Sequence, residues 1–95
     1  MKSVLFYESA PDVAVRAPLH YAAHSAHVRE FHERGVLLMI GVFADVQNDG
    51  AMAVFVDRAA AEEFAGRDPF VVNGVVSGWR VSEWAEVLTG EGSRG

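Results

Sequence analysis

The pattern of hydrophobic and polar positions divides the chain into short segments of different period. Residues 4–7 are β-branched and aromatic, and the turn residues at 9–12, with Pro11 among them, end the run, which predicts a first strand. Apolar residues then recur every three or four positions over residues 18–34, which predicts a helix. Pro18 suits its first turn, and Gly35 suits the position just past its end.

One side of this predicted helix is apolar enough to face a core. At about 100° per residue, five residues form a single stripe, whereas the charged residues between 29 and 34 lie elsewhere. The stripe consists of Ala17, Tyr21, His24, Val28 and Phe31. We expect this stripe to be buried, with His20 and His27 at its flanks and His32 farther round.

The second half of the chain predicts a hairpin, a helix and a last strand. Residues 36–43 and 51–56 form apolar strands, the first covered on both faces, and the turn at Asn48, Asp49 and Gly50 tolerates positive φ. Asp57 can cap the next helix. The buried side of that helix is predicted to be Ala60, Ala61, Phe64 and Ala65. A short turn over residues 68–74 then leads to a strand at 75–86.

The predicted order is strand, helix, strand, strand, helix, strand. This order is typical of an α+β ferredoxin-like (β-α-β-β-α-β) domain, in which two helices cover one face of a four-stranded antiparallel sheet. The first three strands carry apolar residues on both faces, so the uncovered face would be a larger apolar patch than soluble monomers expose. We therefore expect a homodimer that pairs two sheets face to face.

Length and composition narrow the function classes. Ninety-five residues suffice for one core, and we expect a single domain over residues 1–89 with a flexible tail at 90–95. Eight basic and thirteen acidic side chains give a net charge of −5, which argues against a nucleic-acid partner or an anionic membrane surface. No run approaches the ~18 apolar residues that span a bilayer. The absence of cysteine excludes thiolate chemistry and disulfides and fits a cytoplasmic location.

Four histidines lie close together, at positions 20, 24, 27 and 32. His20 and His24, one helical turn apart, could hold an ion such as Zn²⁺, with His27 or a carboxylate completing the ligand shell. Histidine pairs on one helix also occur without metal, and no His-Glu-x-x-His motif is present. We therefore expect no metal and no cofactor, and keep the metal site as an alternative.

His24 and Asp68 each allow two interpretations. His24 lies inside the apolar stripe and should be largely buried, either as a core histidine with one backbone or hydroxyl partner or as an acid or base near neutral pH. Asp68 precedes a proline, so it could cap the short turn that follows, or it could orient and charge His24. Periodicity cannot show whether two residues so far apart in sequence meet.

Several segments resemble the YciI-like (YCII-related) family. They are residues 24–41, 49–50 and 60–65 and, most specifically, Asp68-Pro69-Phe70-Val71 followed by Gly74-Val75. The match spans nearly the whole chain. The resemblance implies a dimeric α+β barrel of ferredoxin-like subunits, in which a histidine and an aspartate form an active-site pair. Those two positions match His24 and Asp68.

The resemblance also implies proton abstraction, elimination or isomerisation on a small cyclic or carbonyl-bearing substrate. Tyr21 stands where the family often has an arginine, and Val42 follows Gly41 where the family commonly has a proline. Tyr7, at the end of the first strand, could line a pocket or be an amphipathic rim residue. The candidate catalytic residues are His24 and Asp68, and the candidate substrate-binding residues are Tyr7, Tyr21 and Phe70.

Three functions compete on this evidence. The first is a small-molecule enzyme of the family that uses His24 and Asp68 without a cofactor. The second is a non-catalytic dimeric module that binds a small ligand, which the small size and the lack of a second catalytic motif favour. The third is the metal site on the first helix. We rank the enzyme first, because a histidine in the apolar stripe and the family resemblance both favour it.

Overall fold

A computed structural model describes residues 1–90 of the chain, and the predicted order of strands and long helices is confirmed. Two one-turn helices, α2 and α4, are inserted between these elements. The elements are β1 (Lys2–Ser9), α1 (Val13–Glu33), β2 (Leu37–Val42), α2 (Val46–Asp49), β3 (Ala51–Phe55), α3 (Arg58–Arg67), α4 (Pro69–Val72) and β4 (Val76–Trp84). The tail predicted at residues 90–95 lies, apart from Gly90, outside the described residues.

The four strands form one antiparallel sheet in the order β2-β3-β1-β4. Paired residues on neighbouring antiparallel strands point to the same face, so Leu5 and Tyr7 of β1 share a face with Ala53 and Ala51 of β3. These residues join the core together with Phe31 of α1 and the buried side of α3. The predicted α+β class and the helix-covered antiparallel sheet are confirmed.

Aromatic rings hold the two long helices to the sheet. Phe31 of α1, Phe55 of β3 and Phe64 of α3 are fully buried. The Phe64 ring centroid lies 5.2 Å from those of both Phe31 and Phe55, and it meets Phe31 edge to face. Burying each ring contributes about 1.5–3 kcal/mol. The residues predicted for the buried side of α3 are all buried, namely Ala60, Ala61, Phe64 and Ala65.

Helix α1 is longer than predicted, because it begins at Val13 and not at Pro18. Pro18 is therefore inside the helix, where it lacks the N–H that would donate to the carbonyl of Ala14. Tertiary burial of Val13 and a hydrogen bond from Arg16 Nε to Asp12 Oδ1 at 2.7 Å support the extra turn. Although α1 has 21 residues, no helix within residues 1–90 is long and apolar enough to cross a membrane.

The buried side of α1 is rotated from the predicted stripe. Tyr21 is 63% exposed, whereas His27, expected at the flank, is only 8% exposed. At about 100° per residue, His27 lies about 40° to one side of Phe31 and Tyr21 about 80° to the other. The Nε2–H of His27 donates to the carbonyl of Phe64 at 2.9 Å. This bond satisfies the polar ring, so a histidine can be buried where the pattern predicted a flank.

The connection between β2 and β3 is not the tight hairpin turn that was predicted. Asn48 and Asp49 lie in α2 and have no positive φ; Gly50 alone of the three does, at 74°. The Asp45 carboxylate accepts from the backbone N–H of Asn48 at 3.3 Å and so caps a helical turn instead. Ser9 Oγ donates to the carbonyl of Val46 at 2.6 Å, which ties α2 to the end of β1.

Gly50 packs directly against β1, so a side chain at this position should destabilise the fold. A Cβ on Gly50 would lie 1.9 Å from the carbonyl oxygen of Tyr7, and the positive φ would strain any other residue. We expect Gly50→Ala to lower the free energy of unfolding by about 1–3 kcal/mol in urea titrations. Gly66→Ala is the control, because no atom of residues 1–90 lies within 4 Å of a Cβ there. Equal losses in both variants would contradict the prediction.

The sheet face opposite α1 and α3 is open and largely apolar. Phe6 of β1 and Met52 of β3 pair across the strands and line an apolar cavity of about 520 Å³ on this face. Met39 and Trp84 also line it and are 66% and 48% exposed. Strand β2 was predicted to be covered on both faces, but within the single chain only Leu37 of this strand is buried. The sequence therefore overestimated how far one chain covers its own sheet.

Candidate active site

Three elements bring a tyrosine, a histidine and an aspartate together at one end of the core. Tyr7 lies near the end of β1, His24 lies in the middle of α1, and Asp68 is the residue between α3 and α4. Tyr7 is on the core face of the sheet, and α1 and α3 both pack beside α4. This packing places the side chains of His24 and Asp68 in direct contact.

Asp68 is completely buried, and its carboxylate accepts three hydrogen bonds. Oδ1 lies 2.8 Å from Nδ1 of His24 and accepts from the backbone N–H of Phe70 at 3.0 Å. Oδ2 accepts from the hydroxyl of Tyr7 at 2.6 Å. A buried carboxylate without partners would be strongly unfavourable, so these three donors are what allow a charge at this position.

Asp68 combines the two roles that the sequence left as alternatives. Its backbone is extended, with φ −66° and ψ 124°, as a residue before proline prefers. From this position Oδ1 caps α4 through the amide of Phe70 while it also contacts His24. A carboxylate oxygen has two lone pairs, so capping a helix and binding a histidine do not exclude each other.

The environment keeps Asp68 charged and Tyr7 protonated. Burial alone would raise the pKa of the Asp68 carboxyl, but the hydrogen bonds from His24, Tyr7 and the Phe70 amide outweigh it, and the pKa is lowered. The pKa of Tyr7 is raised by burial, by the negative charge of Asp68 and by the hydrogen bond to it. The Tyr7 hydroxyl is therefore a fixed donor at neutral pH.

The ring of His24 is held at one nitrogen and on one face. A carboxylate only accepts hydrogen bonds, so Nδ1 carries a proton and donates it to Asp68. The Phe70 ring stacks on the imidazole with centroids 3.8 Å apart and an interplanar angle of 1°. Within residues 1–90 the polar contact of His24 is made by Nδ1 and not by Nε2. In the neutral ring Nε2 is thus the nitrogen that can accept a proton.

A cavity of about 460 Å³ opens beside His24, between α1 and β2. This volume falls in the range of small-molecule sites, about 300–1,000 Å³. Val28 of α1 and Ile40 of β2 give it apolar walls, and its lining is mostly apolar. A half-enclosed apolar cavity next to an oriented histidine can hold a small organic molecule against a proton acceptor.

The predicted site residues all lie at this cavity or directly behind it. Tyr7, Tyr21, His24 and Phe70 line it, and Asp68 lies behind His24. The roles assigned to these five residues stay predictions, since geometry alone tests none of them.

Two features of the site were missed by sequence reasoning. The hydroxyl of Tyr7 is bound to Asp68, although Tyr7 was considered only as a pocket residue. Alternation along β1 places Tyr7 on the same face as Leu5, and this was a signal for a buried tyrosine that needs a partner. Arg29 also lines the cavity, whereas helical periodicity placed it with the charged side of α1.

The histidines of α1 do not gather as metal ligands. Nδ1 of His24 faces Asp68, and Nε2 of His27 faces the carbonyl of Phe64. Among residues 1–90, no group of three or more His, Cys, Asp or Glu side chains is arranged to hold an ion. The metal alternative therefore has no ligand set in the part of the chain that the structure describes.

The fold and the site together define a ferredoxin-like α+β protein with a His–Asp contact at a small-molecule cavity. The model of the YCII-related domain matches residues 1–85. The chain belongs to this family, as the resemblance of its motifs had indicated.

A solved structure shares the fold over almost its whole length. It is the 5-chloro-2-hydroxyhydroquinone dehydrochlorinase from Burkholderia phenoliruptrix in complex with 2,5-dihydroxybenzoquinone, with a TM-score of 0.71 and 18% sequence identity. The match covers 90% of this chain and 94% of that chain. At this identity the likeness shows the fold alone. No curated protein matches the chain.

Proposed function

We propose that the chain is an enzyme that uses His24 and Asp68 for general acid–base chemistry on a small cyclic or carbonyl-bearing compound. The observation that carries this proposal is the orientation of His24. Its Nδ1 is bound to a buried carboxylate, which leaves Nε2 as a proton acceptor in a residue that lines the cavity. This is how a general base is arranged in other His/carboxylate pairs.

The proposed step is removal of a proton from a carbon or hydroxyl of the substrate. Nε2 of His24 takes the proton, and Asp68 stabilises the imidazolium that forms. In an elimination, the electron pair left on the substrate forms a new double bond, and the leaving group departs with its own electron pair. The imidazolium then loses its proton to solvent, which restores the base. Tyr21 and Phe70 are the proposed contacts to the substrate, and Tyr7 holds Asp68 in place.

Two further observations support this reaction class. The chain belongs to the YCII-related family, and the structural neighbour with the same fold is named a dehydrochlorinase. When a chlorinated hydroquinone loses HCl, one hydroxyl proton moves to the carbon that carries chlorine and a second is removed, while chloride leaves with the C–Cl electron pair and a quinone forms. Both are proton transfers of the kind proposed for His24. The ligand in that neighbour, 2,5-dihydroxybenzoquinone, is small enough for the cavity beside His24.

The experiment is steady-state turnover by the purified chain. The probe is 5-chloro-2-hydroxyhydroquinone, with chloride release and quinone absorbance as readouts. Release of more than one equivalent of chloride per chain supports the proposal. Binding of the probe with no release above the uncatalysed rate would instead favour the alternative function, a non-catalytic module that binds small ligands.

We also propose that two chains pair through the open sheet face, and that the protein is cytoplasmic. Met39 and Trp84 on this face are large exposed apolar side chains, and an exposed apolar patch of this kind marks a protein–protein contact. Sedimentation equilibrium should give twice the 10.3 kDa chain mass. Met52→Lys, on the open face, should shift the mass toward the monomer, whereas Val15→Lys, on the exposed side of α1, should not. A monomeric wild-type chain at high concentration would contradict the pairing.

A further inference from the structure

Arg29 differs from the other cationic side chains of the protein. Within residues 1–90, every other Lys or Arg has a carboxylate, hydroxyl or aromatic partner. These contacts are Lys2 to Glu86, Arg16 to Asp12, Arg34 to Glu30 and Glu63, Arg58 to Glu62, Arg67 to Glu63, and Arg80 to Ser82 and the Phe6 ring. Arg29 has none of these among the described residues, and it lines the cavity beside His24.

The charges around the cavity indicate what Arg29 does there. Asp68 is a buried carboxylate behind His24, so with a neutral imidazole the site carries a negative charge in a chain whose net charge is −5. Arg29 is the positive side chain in the cavity wall. Arg29 is exposed, and it is the cavity-lining charge that can offset the repulsion between Asp68 and an anionic ligand.

The position of Arg29 relative to His24 also fits a ligand that bridges the two. Five positions of α1 separate them, which is a rise of about 7.5 Å along the axis and a turn of about 140° around it, and both residues line the same cavity. A substituted six-membered ring is small enough for this cavity of about 460 Å³. One end of such a ring can lie at His24 and Phe70 while an oxygen at the other end reaches the guanidinium of Arg29.

We propose that the cavity binds planar ring compounds carrying an oxygen that is ionised at neutral pH, such as hydroxyquinones, and that Arg29 pairs with this oxygen. The inference rests on the proposed function, since it takes the cavity beside His24 as the substrate site. It adds the substrate class and the residue that selects it. Removal of a proton by His24 pushes negative charge onto the ring oxygens, so a guanidinium at that oxygen also stabilises the charge that develops in the reaction.

The test compares two ligands that share one ring, of which one is ionised at neutral pH and the other is neutral. 2,5-Dihydroxy-1,4-benzoquinone is ionised at neutral pH, and 2,5-dimethoxy-1,4-benzoquinone is neutral. By calorimetry, the wild-type chain should bind the first more tightly. Arg29→Gln should raise the Kd of the ionised compound about tenfold and leave that of the neutral compound unchanged. Arg29→Lys should keep part of the affinity, because the charge remains while the planar fork is lost.

The control is Arg58→Gln, which makes the same change in net charge at an exposed position of α3 away from the cavity. It should leave both dissociation constants unchanged. The inference is overturned if wild type binds neither compound, if it binds both equally, or if Arg29→Gln weakens both ligands to the same extent. If the chain binds the ionised compound through Arg29 but does not turn over a substrate, this inference holds and the proposed catalysis is excluded. If Arg29→Gln changes neither turnover nor affinity, the proposed catalysis holds and this inference is overturned.

Discussion

Replacing His24 by glutamine should lower kcat for chloride release by about 10²–10⁴-fold, the range that a general base contributes. Asp68 still accepts from the Tyr7 hydroxyl and the Phe70 amide in this variant, so the fold should persist. An amide cannot accept and return a proton near neutral pH, so the loss should fall on kcat and less on KM.

His20→Gln is the matched control for this prediction. His20 lies one turn earlier on the same helix and does not line the cavity, so the same chemical change there should leave kcat within about twofold. Urea unfolding of both variants separates lost chemistry from lost folding. A His24→Gln variant that turns over like wild type would exclude His24 as the base and leave the ligand-binding module as the better account.

Asp68→Asn should lower the free energy of unfolding by about 2–4 kcal/mol at neutral pH. The carboxylate accepts three hydrogen bonds without exposure to water. An asparagine offers one carbonyl oxygen and one NH₂, so at least one of the three donors loses its acceptor. Tyr7→Phe removes only one of the three bonds and should cost less, about 0.5–1.5 kcal/mol.

The control for Asp68→Asn is a second aspartate at a helix start. Asp57 caps α3 by accepting from the backbone N–H of Ala60 at 2.9 Å, and it is exposed. Asparagine caps helices about as well as aspartate, so Asp57→Asn should change stability by less than about 0.5 kcal/mol. If Asp68→Asn is equally mild, Asp68 acts only as a cap and its contact with His24 carries little energy.

The stabilities of wild type and of Asp68→Asn should respond differently to acid. The pKa of Asp68 is lower in the folded chain than its ordinary value of 3.8, so its charged form favours folding above that value. This contribution is lost as the pH falls from about 4 through the folded pKa. The stability difference between wild type and Asp68→Asn should therefore shrink as the pH falls below about 4. A difference that is the same at pH 3 and pH 7 would contradict the lowered pKa.

The sequence pattern correctly predicted those elements in which buried residues recur at a regular spacing. The alanines and Phe64 of α3 are buried as expected, and the cap at Asp57 and the end of α1 before Gly35 follow from residue chemistry within one helical turn. These features depend on neighbours in sequence, so the sequence can specify them. The order of strands and long helices is typical of the ferredoxin-like arrangement, so the fold class could be predicted from it.

Boundaries that depend on distant contacts were predicted less well. Helix α1 begins at Val13 and not at Pro18, and Val13 is buried in the structure. His27 can be buried because its Nε2–H donates a hydrogen bond to the carbonyl of Phe64. The partner of His27 lies 37 residues farther along the chain, where local propensity carries no information.

For the candidate site, too, some features could be predicted from the sequence and others required the tertiary structure. The sequence by itself made His24 a candidate, by its place in the apolar stripe. The place of Asp68 before Pro69 favoured a helix cap, and only the family resemblance paired the two residues. Only the tertiary structure showed that Asp68 accepts from Tyr7, His24 and the Phe70 amide at once, and that Arg29 lines the cavity with no partner among residues 1–90. The reason is physical: periodicity reports which face of an element is buried, whereas hydrogen bonds and pKa values depend on which faces meet.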